Sequence, residues 1–297
     1  MKFQAALVGI TLAAVGLAAA EKIKVASLHP LLGHLSREIG GENIETIDLI
    51  GPDGDPHRFN PHTSDLRRAE GAVLYLASGM GLETYLGRLR TILGDGVKIV
   101  EVGATLPAME GACDHDHDHS AHEHTHEIDP HWWHSIDLYR RSVTIVAEEF
   151  SRADPPHADA FRKRAEQCRS RLDELERWAR REIAKVPREK RHLATAHAAF
   201  HYFCKDFGFT AHPVQGLNRE QVPSAENLAE IVRDLRAAKV AAIFPEKGSN
   251  PKILQTLTND TGIVLGPPLI ADGANASSYD EMMRSNIRAI VSTLAGK

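Results

Sequence analysis

Residues 156–186 read PHADAFRKRAEQCRSRLDELERWARREIAKV, a charged run in which apolar residues return every three or four positions. This spacing puts one apolar stripe along an α-helix. At 1.5 Å per residue the helix would be about 45 Å long, enough to lie along two domains. An exposed helix without a linking role is the alternative. The apolar positions are Phe161, Ala165, Cys168, Leu172, Leu175, Ala179 and Ile183.

Short apolar runs alternate with helical patterns on both sides of this segment. The runs are 23–28, 44–50, 73–77 and 97–102 before it, and 192–196, 210–214, 240–244 and 263–265 after it. The helical patterns are 64–71, 82–93, 225–238 and 279–294. Strands that alternate with helices predict parallel sheets. We therefore predict an α/β protein with two lobes, each a mainly parallel sheet flanked by helices, joined by one long backbone helix. The predicted divisions are 21–137 for the N-terminal lobe, 138–187 for a helical linker and 188–297 for the C-terminal lobe.

The composition of the 297-residue chain is that of a globular protein, with 42% hydrophobic and 25% charged residues. Its 35 basic and 40 acidic residues give a formal net charge of -5, and no basic run is present. This excludes the usual electrostatic footprint of nucleic-acid binding and of binding to an anionic membrane surface. Histidine is overrepresented, with 17 residues against 5 Tyr and 3 Trp. Because imidazole is the commonest metal ligand, the histidines indicate a function in metal binding.

Residues 1–20 have the pattern of a secretory signal peptide. Lys2 supplies a positive charge, residues 3–17 are mostly apolar, and Ala18, Ala19 and Ala20 provide a small-residue cleavage site. The apolar run is too short and too rich in Ala and Gly for a membrane span. No cysteine lies near the cut to carry a lipid. We predict cleavage after about Ala20 and a periplasmic mature protein.

Residues 114–127, DHDHDHSAHEHTHE, are of low complexity and cannot bury a core. Their composition predicts a loop that binds metal weakly at several sites. The segment 122–126 matches the metalloprotease pattern HExxH, but it lacks the apolar helix face that this motif requires, so we reject a protease. The imidazoles of the loop are His115, His117, His119, His122, His124 and His126.

Four other residues occupy structured positions. His57 follows the strand that ends near residue 50, and His131 precedes a helix. His197 follows the strand 193–196 and opens a helix that begins at Ala198, and Asp272 follows the last strand. Open α/β sheets place ligand sites beyond the carboxyl ends of their strands, so we expect these side chains to meet in a cleft between the lobes. Three neutral imidazoles and one carboxylate suit Zn²⁺, with Mn²⁺ as the less favoured ion. Four protein ligands would close a tetrahedral shell, so the site would bind zinc rather than catalyse.

The remaining histidines and the cysteines are weaker candidates for metal ligands. His201, four residues after His197, could share its helix face and also bind metal. His62 is expected at a helix start capped by Thr63 or Ser64. His29, His34, His134 and Glu246 are candidates for supporting the ligands. Cys168 and Cys204 are expected to be small core residues, whereas Cys113 precedes the His-rich stretch and could touch metal.

Five separated motifs resemble one known family. They are DPHRFNPHTSD (55–65), DPHWW (129–133) after the His-rich stretch, HAAFHYFCKDFGF (197–209), FPEKGSNPK (244–252) and YDEMMRSNI (279–287). Together, and in this order, they are similar to the metal-binding proteins of zinc and manganese ABC importers. The resemblance covers nearly the whole mature chain. It implies two α/β lobes joined by a backbone helix, a buried metal in the cleft, and delivery to a membrane permease.

The resemblance also implies which residues bind the ion. His57, His131 and His197 are the implied imidazole ligands, and Asp272 is the implied carboxylate. Manganese members typically carry Glu at the third position, so His197 favours zinc, as does the His-rich stretch. The chain departs from the family pattern at two places. His62 replaces a second Pro, and the sequence immediately before Asp272 differs from the family's usual motif. Water is therefore the alternative fourth ligand.

The sequence thus predicts a periplasmic zinc receptor of an ABC importer, a monomer that is not an enzyme. Its expected partners are the membrane permease and a periplasmic metallochaperone. The alternatives are a manganese receptor of the same family, an exported zinc hydrolase with water as fourth ligand, and an adhesin or zinc-storage protein dominated by residues 114–127.

Overall fold

The computed structural model describes residues 22–51, 54–110, 127–217, 224–249 and 252–296. The N-terminal lobe has a parallel sheet in the order β2-β1-β3-β4. Its strands are β1 (Ile23–Ser27), β2 (Ile44–Asp48), β3 (Ala72–Ala77) and β4 (Lys98–Glu101). Its helices are α1 (Pro30–Gly40), α2 (Thr63–Arg68) and α3 (Leu86–Leu93).

A small antiparallel ribbon follows the first sheet. It consists of β5 (Met109–Glu110) and β6 (Ile128–Asp129), with Glu110 opposite Ile128. The ribbon therefore brings together the two ends of the segment that contains the His-rich stretch. The six histidines of that stretch, Cys113 and the proposed signal peptide lie outside the described residues.

Two helices lead from the ribbon to the second lobe, namely α4 (Ile136–Ala153) and α5 (Ala158–Ile183). The C-terminal lobe has a parallel sheet in the order β10-β9-β7-β8. Its elements are β7 (His192–His197), α6 (His201–Phe207), β8 (Thr210–Gln215), α7 (Ala225–Ala237), β9 (Ala242–Phe244), α8 (Lys252–Thr261), β10 (Val264–Leu265) and α9 (Tyr279–Leu294). The predicted two-lobed α/β fold is confirmed.

The predicted long helix is α5, with 26 residues and a length of about 39 Å. The seven apolar positions predicted from its spacing are its buried residues. The helix packs against α1 of the first lobe, against α4, and against α9 at the end of the chain. It therefore links the two lobes, and the alternative of an exposed helix without this role is wrong.

One apolar core is shared by both lobes. It includes Leu35 of α1, Val146 of α4, Leu175 of α5 and Ile287 of α9, all buried. A separate cluster covers the other face of each sheet. The predicted burial of Cys168 and Cys204 is confirmed, and both thiols are free. No helix among the described residues has the length and apolar character of a membrane-spanning helix.

Two local predictions need correction. The helix after His197 does not begin at Ala198, because the Ala198 N–H donates to Gly216 O at 3.0 Å and extends the strand; α6 begins at His201. At the start of α2 the N-cap residue is His62 itself rather than Thr63 or Ser64, and its backbone N–H donates to the carboxylate of Asp65 at 2.9 Å. Helices α1 and α8 were not predicted, although the apolar residues of α1 (Leu31, Leu32, Leu35 and Ile39) have helical spacing and are buried.

Candidate metal centre

Four side chains from separate segments meet between the lobes. His57 lies on the loop after β2, and His131 stands between β6 and a 3₁₀ turn, Trp132–His134. His197 is the last residue of β7, and Asp272 lies on the loop between β10 and α9. One possible ligand atom from each residue lies within 4.8 Å of the others. The expected meeting place beyond the carboxyl ends of the strands is thus where the structure places these residues.

The distances between the ligand atoms suit one small cation. His131 Nε2 lies 3.1 Å from His57 Nε2 and 3.3 Å from His197 Nε2. Asp272 Oδ1 lies 3.6 Å from His57 Nε2 and 3.9 Å from His131 Nε2. With metal–ligand bonds of about 2.0–2.1 Å, the donors of a tetrahedral zinc ion lie about 3.3–3.4 Å apart. The four side chains can therefore coordinate a tetrahedral ion with small adjustments.

The cluster opens to solvent on one side. His131 and His197 are completely buried and Asp272 is 2% exposed, whereas the His57 side chain is 8% exposed. His57 lines a depression of about 550 Å³ together with Arg58, Phe59, Asn60, Thr84, Tyr85 and Arg88. An ion reaching the cluster through this depression would meet His57 first.

Glu246 holds His197 in place. Its Oε1 accepts from the backbone N–H of His197 at 3.0 Å, and its Oε2 accepts from the imidazole Nδ1 at 2.6 Å. A proton kept on Nδ1 leaves the Nε2 lone pair of the neutral ring directed into the cluster. Glu246 was predicted only as a supporting group, and the structure shows that it contacts His197 directly.

Asp129 does the same for His131. Its Oδ1 accepts from the backbone N–H of His131 at 2.9 Å and from Nδ1 at 2.8 Å. Burial favours the neutral acid, but the hydrogen bonds from His131 and His201 outweigh it and hold the pKa of Asp129 below its ordinary value. Burial lowers the pKa of His131, which favours the neutral ring that a metal requires. Sequence reasoning missed Asp129, although it stands two residues before His131.

The loop that carries Asp272 is anchored through the neighbouring carbonyl. Trp133 Nε1 and His134 Nε2 both donate to Ala271 O at 2.8 Å. Burial lowers the pKa of His134 to about 4, so the ring is neutral at physiological pH. Gly273 has φ 75°, and a Cβ there would stand 2.6 Å from Leu31 Cγ. A glycine is therefore required immediately after Asp272.

The other predicted histidines lie outside the cluster. His201 bonds to Asp129 rather than contributing a ligand atom, with 3.1 Å between Nδ1 and Oδ2. His29 is buried and caps α1, since its Nδ1 accepts from the Leu31 N–H at 3.2 Å. His62 is the N-cap residue of α2, and His34 is half-buried on α1.

The chain is similar to several known metal-binding proteins. The family model described as "ZnuA: Zinc-uptake complex component A periplasmic" matches residues 25–293. The manganese-binding lipoprotein MntA of Bacillus subtilis is 30% identical over 97% of this chain and 95% of its own length. The manganese ABC transporter substrate-binding lipoprotein PsaA of Streptococcus pneumoniae is 26% identical over 93% and 90%.

A solved structure shares the whole architecture. The periplasmic zinc-binding protein TroA of Treponema pallidum matches with a TM-score of 0.82 at 29% identity, covering 93% of this chain and all of that one. The names of these relatives include both zinc and manganese, and all describe metal-binding proteins.

Proposed function

We propose that this chain, which belongs to the ZnuA family of periplasmic metal-binding receptors, captures Zn²⁺ and delivers it to the membrane permease of an ABC importer. Members of this family are substrate-binding receptors and not enzymes, so the alternative of an exported hydrolase is dropped. The observation that carries the proposal is the convergence of three imidazoles and one carboxylate within 4.8 Å.

The donor set supports zinc over manganese. Nitrogen ligands bind Zn²⁺ more strongly than Mn²⁺, and four donors complete the coordination that zinc adopts in closed sites. Mn²⁺ favours more oxygen ligands and a higher coordination number. Glu246 and Asp129 both hold imidazoles through Nδ1, which commits those carboxylates to orienting nitrogen ligands rather than to binding the ion.

Manganese is the second candidate because MntA and PsaA are named for it. Titration of the metal-free protein with Mn²⁺ alone separates the two candidates, whereas competition does not, because most nitrogen and oxygen sites bind Zn²⁺ more tightly than Mn²⁺. A zinc receptor should bind Mn²⁺ only weakly. Nanomolar binding of Mn²⁺ would identify a manganese receptor instead.

We further propose that the six histidines between positions 115 and 126 collect zinc at weaker sites. Residues Glu110 and Ile128 pair on either side of this stretch, and His131 follows three residues later. Ions held there would therefore be bound by a segment whose ends lie next to a cluster ligand. We propose a periplasmic location, export through the peptide of residues 1–20, and a monomer that exchanges zinc with a metallochaperone.

The decisive experiment is metal analysis of protein purified without added metal, paired with isothermal titration. We expect one site of nanomolar affinity, which corresponds to about -12 kcal/mol. His197→Ala should remove this site. His192→Ala, at the opposite end of β7, is the matched control and should retain it. A tight site that survives His197→Ala would contradict the proposed ligand set.

A further inference from the structure

Three hydrogen bonds join the start of α6 to the ribbon that precedes His131. His201 Nδ1 donates to Asp129 Oδ2 at 3.1 Å, and the Tyr202 hydroxyl donates to Asp129 O at 3.1 Å. The Met109 N–H donates to the same hydroxyl at 2.9 Å. Helix α6 belongs to the C-terminal lobe and the ribbon leads out of the N-terminal lobe. These contacts therefore cross between the lobes beside the metal cluster.

The two oxygens of Asp129 have separate partners. Oδ1 receives both hydrogen bonds from His131, and Oδ2 receives the bond from His201. Asp129 is completely buried, and the His201 side chain is 12% exposed. Among the residues that the structure describes, His201 supplies the one hydrogen bond found at Oδ2. Without it, a buried carboxylate oxygen would lose its partner, which is costly enough for the side chain to turn or admit water.

We propose that His201 is a positioning residue for metal capture: its imidazole fixes the Asp129 carboxylate across the lobe interface, and Asp129 in turn holds His131 with Nε2 directed at the ion. This inference rests on the proposed metal-binding function. A group that orients a ligand from outside the coordination shell commonly changes metal affinity by about 10–100-fold. The effect should fall on dissociation, because a ring that is free to turn releases the ion more readily.

The test compares His201→Ala with two neighbouring changes. His201→Asn retains an N–H donor one bond from Cγ, where Nδ1 stands in histidine. Tyr202→Phe removes the hydroxyl that anchors the ribbon but leaves the carboxylate contact in place. His157→Ala is the control, because His157 also pairs with a carboxylate, at 2.7 Å from Asp154, but at the junction of α4 and α5.

We expect His201→Ala to release Zn²⁺ to a chelator about tenfold faster than the unaltered protein, with the melting temperature of the metal-free protein little changed. His201→Asn should restore slow release to within about threefold. His157→Ala should behave like the unaltered protein. In the Co²⁺-loaded protein, His201→Ala should also shift the visible absorption bands.

Three results would overturn the inference. They are unchanged release from His201→Ala, release from His201→Asn as fast as from His201→Ala, and equal acceleration by Tyr202→Phe, which would assign the effect to ribbon anchoring. The proposed function fails separately, if the unaltered protein holds no tight zinc or if His131→Ala retains it.

Discussion

The Glu246 carboxylate accepts two hydrogen bonds from His197, one from the backbone N–H at 3.0 Å and one from the imidazole Nδ1 at 2.6 Å, although the two residues are 49 positions apart in the chain. Asp129 holds His131 in the same way, at 2.9 and 2.8 Å. Each lobe thus contributes an imidazole whose orientation is set by its own buried carboxylate. This doubled arrangement explains how the Nε2 atoms of both rings reach one point.

Loss of a hydrogen bond between Glu246 and His197 should weaken zinc binding. In Glu246→Gln the side chain has only one acceptor oxygen, whereas His197 has two donors, its backbone N–H and its ring Nδ1–H. His197 therefore loses one of the two hydrogen bonds. We expect zinc affinity to fall by about 10–100-fold, measured by competition with a fluorescent chelator. Glu226→Gln, at an exposed position of α7, is the control. Equal affinities for both variants would mean that Glu246 does not orient the ligand.

Acid should destabilise the metal-free protein through His29. Burial lowers the pKa of His29 to about 3 in the folded state, against about 6.5 in the unfolded chain. Between these values the unfolded state binds more protons, so stability falls as pH falls. Because the folded ring stays neutral, the loss from pH 7 to pH 5 should be about 2 kcal/mol.

Denaturant unfolding in the presence of a chelator measures this effect. His29→Asn retains an acceptor at the cap of α1 but cannot titrate, so its stability should fall less between pH 7 and pH 5. His157→Asn, at a half-buried position, controls for the loss of an imidazole. Parallel curves for the unaltered protein and His29→Asn would refute the assignment.

Removing a positive charge beside His57 should speed zinc uptake. Arg88 lines the depression on the solvent side of the cluster and hydrogen-bonds to Asn60. Its guanidinium repels an approaching cation, so Arg88→Gln should raise the association rate constant a few-fold at low ionic strength and not at high salt. Stopped-flow mixing with Zn²⁺ measures the rate. If Arg162→Gln on α5 accelerates uptake equally, the depression is not the route.

Deleting residues 114–127 should lower the total zinc bound and leave the tight site intact. Residues 111–113 would then connect Glu110 to Ile128, and a three-residue loop is a common connection between antiparallel strands. Isothermal titration should show one site of unchanged affinity. If the tight site disappears from a folded protein, the principal ligands lie in the deleted stretch.

Residue spacing and motifs predicted the two-lobed architecture and singled out the four residues that meet in the cluster. Helix periodicity gave all seven buried positions of α5, because a 3.6-residue repeat is a local property. Strands followed by chemically active residues predicted where His57 and His197 would lie, because parallel sheets align their carboxyl ends. Asp272 was a candidate because it follows the last strand, and the family resemblance implied that all four residues bind one ion.

Two of the contacts that orient the cluster became visible only in the folded protein. The hydrogen bonds from His197 to Glu246 and from His201 to Asp129 join residues 49 and 72 positions apart. No local pattern encodes such pairs. Glu246 reaches His197 because β9 and β7 are neighbours in the C-terminal sheet, whereas His201 reaches Asp129 because the two lobes dock. The sequence allowed His201 to be a ligand, and docking of α6 against the ribbon turned it toward Asp129 instead. Residue spacing predicts helices and strands because they are local structures, whereas hydrogen bonds between lobes form only when the lobes have packed.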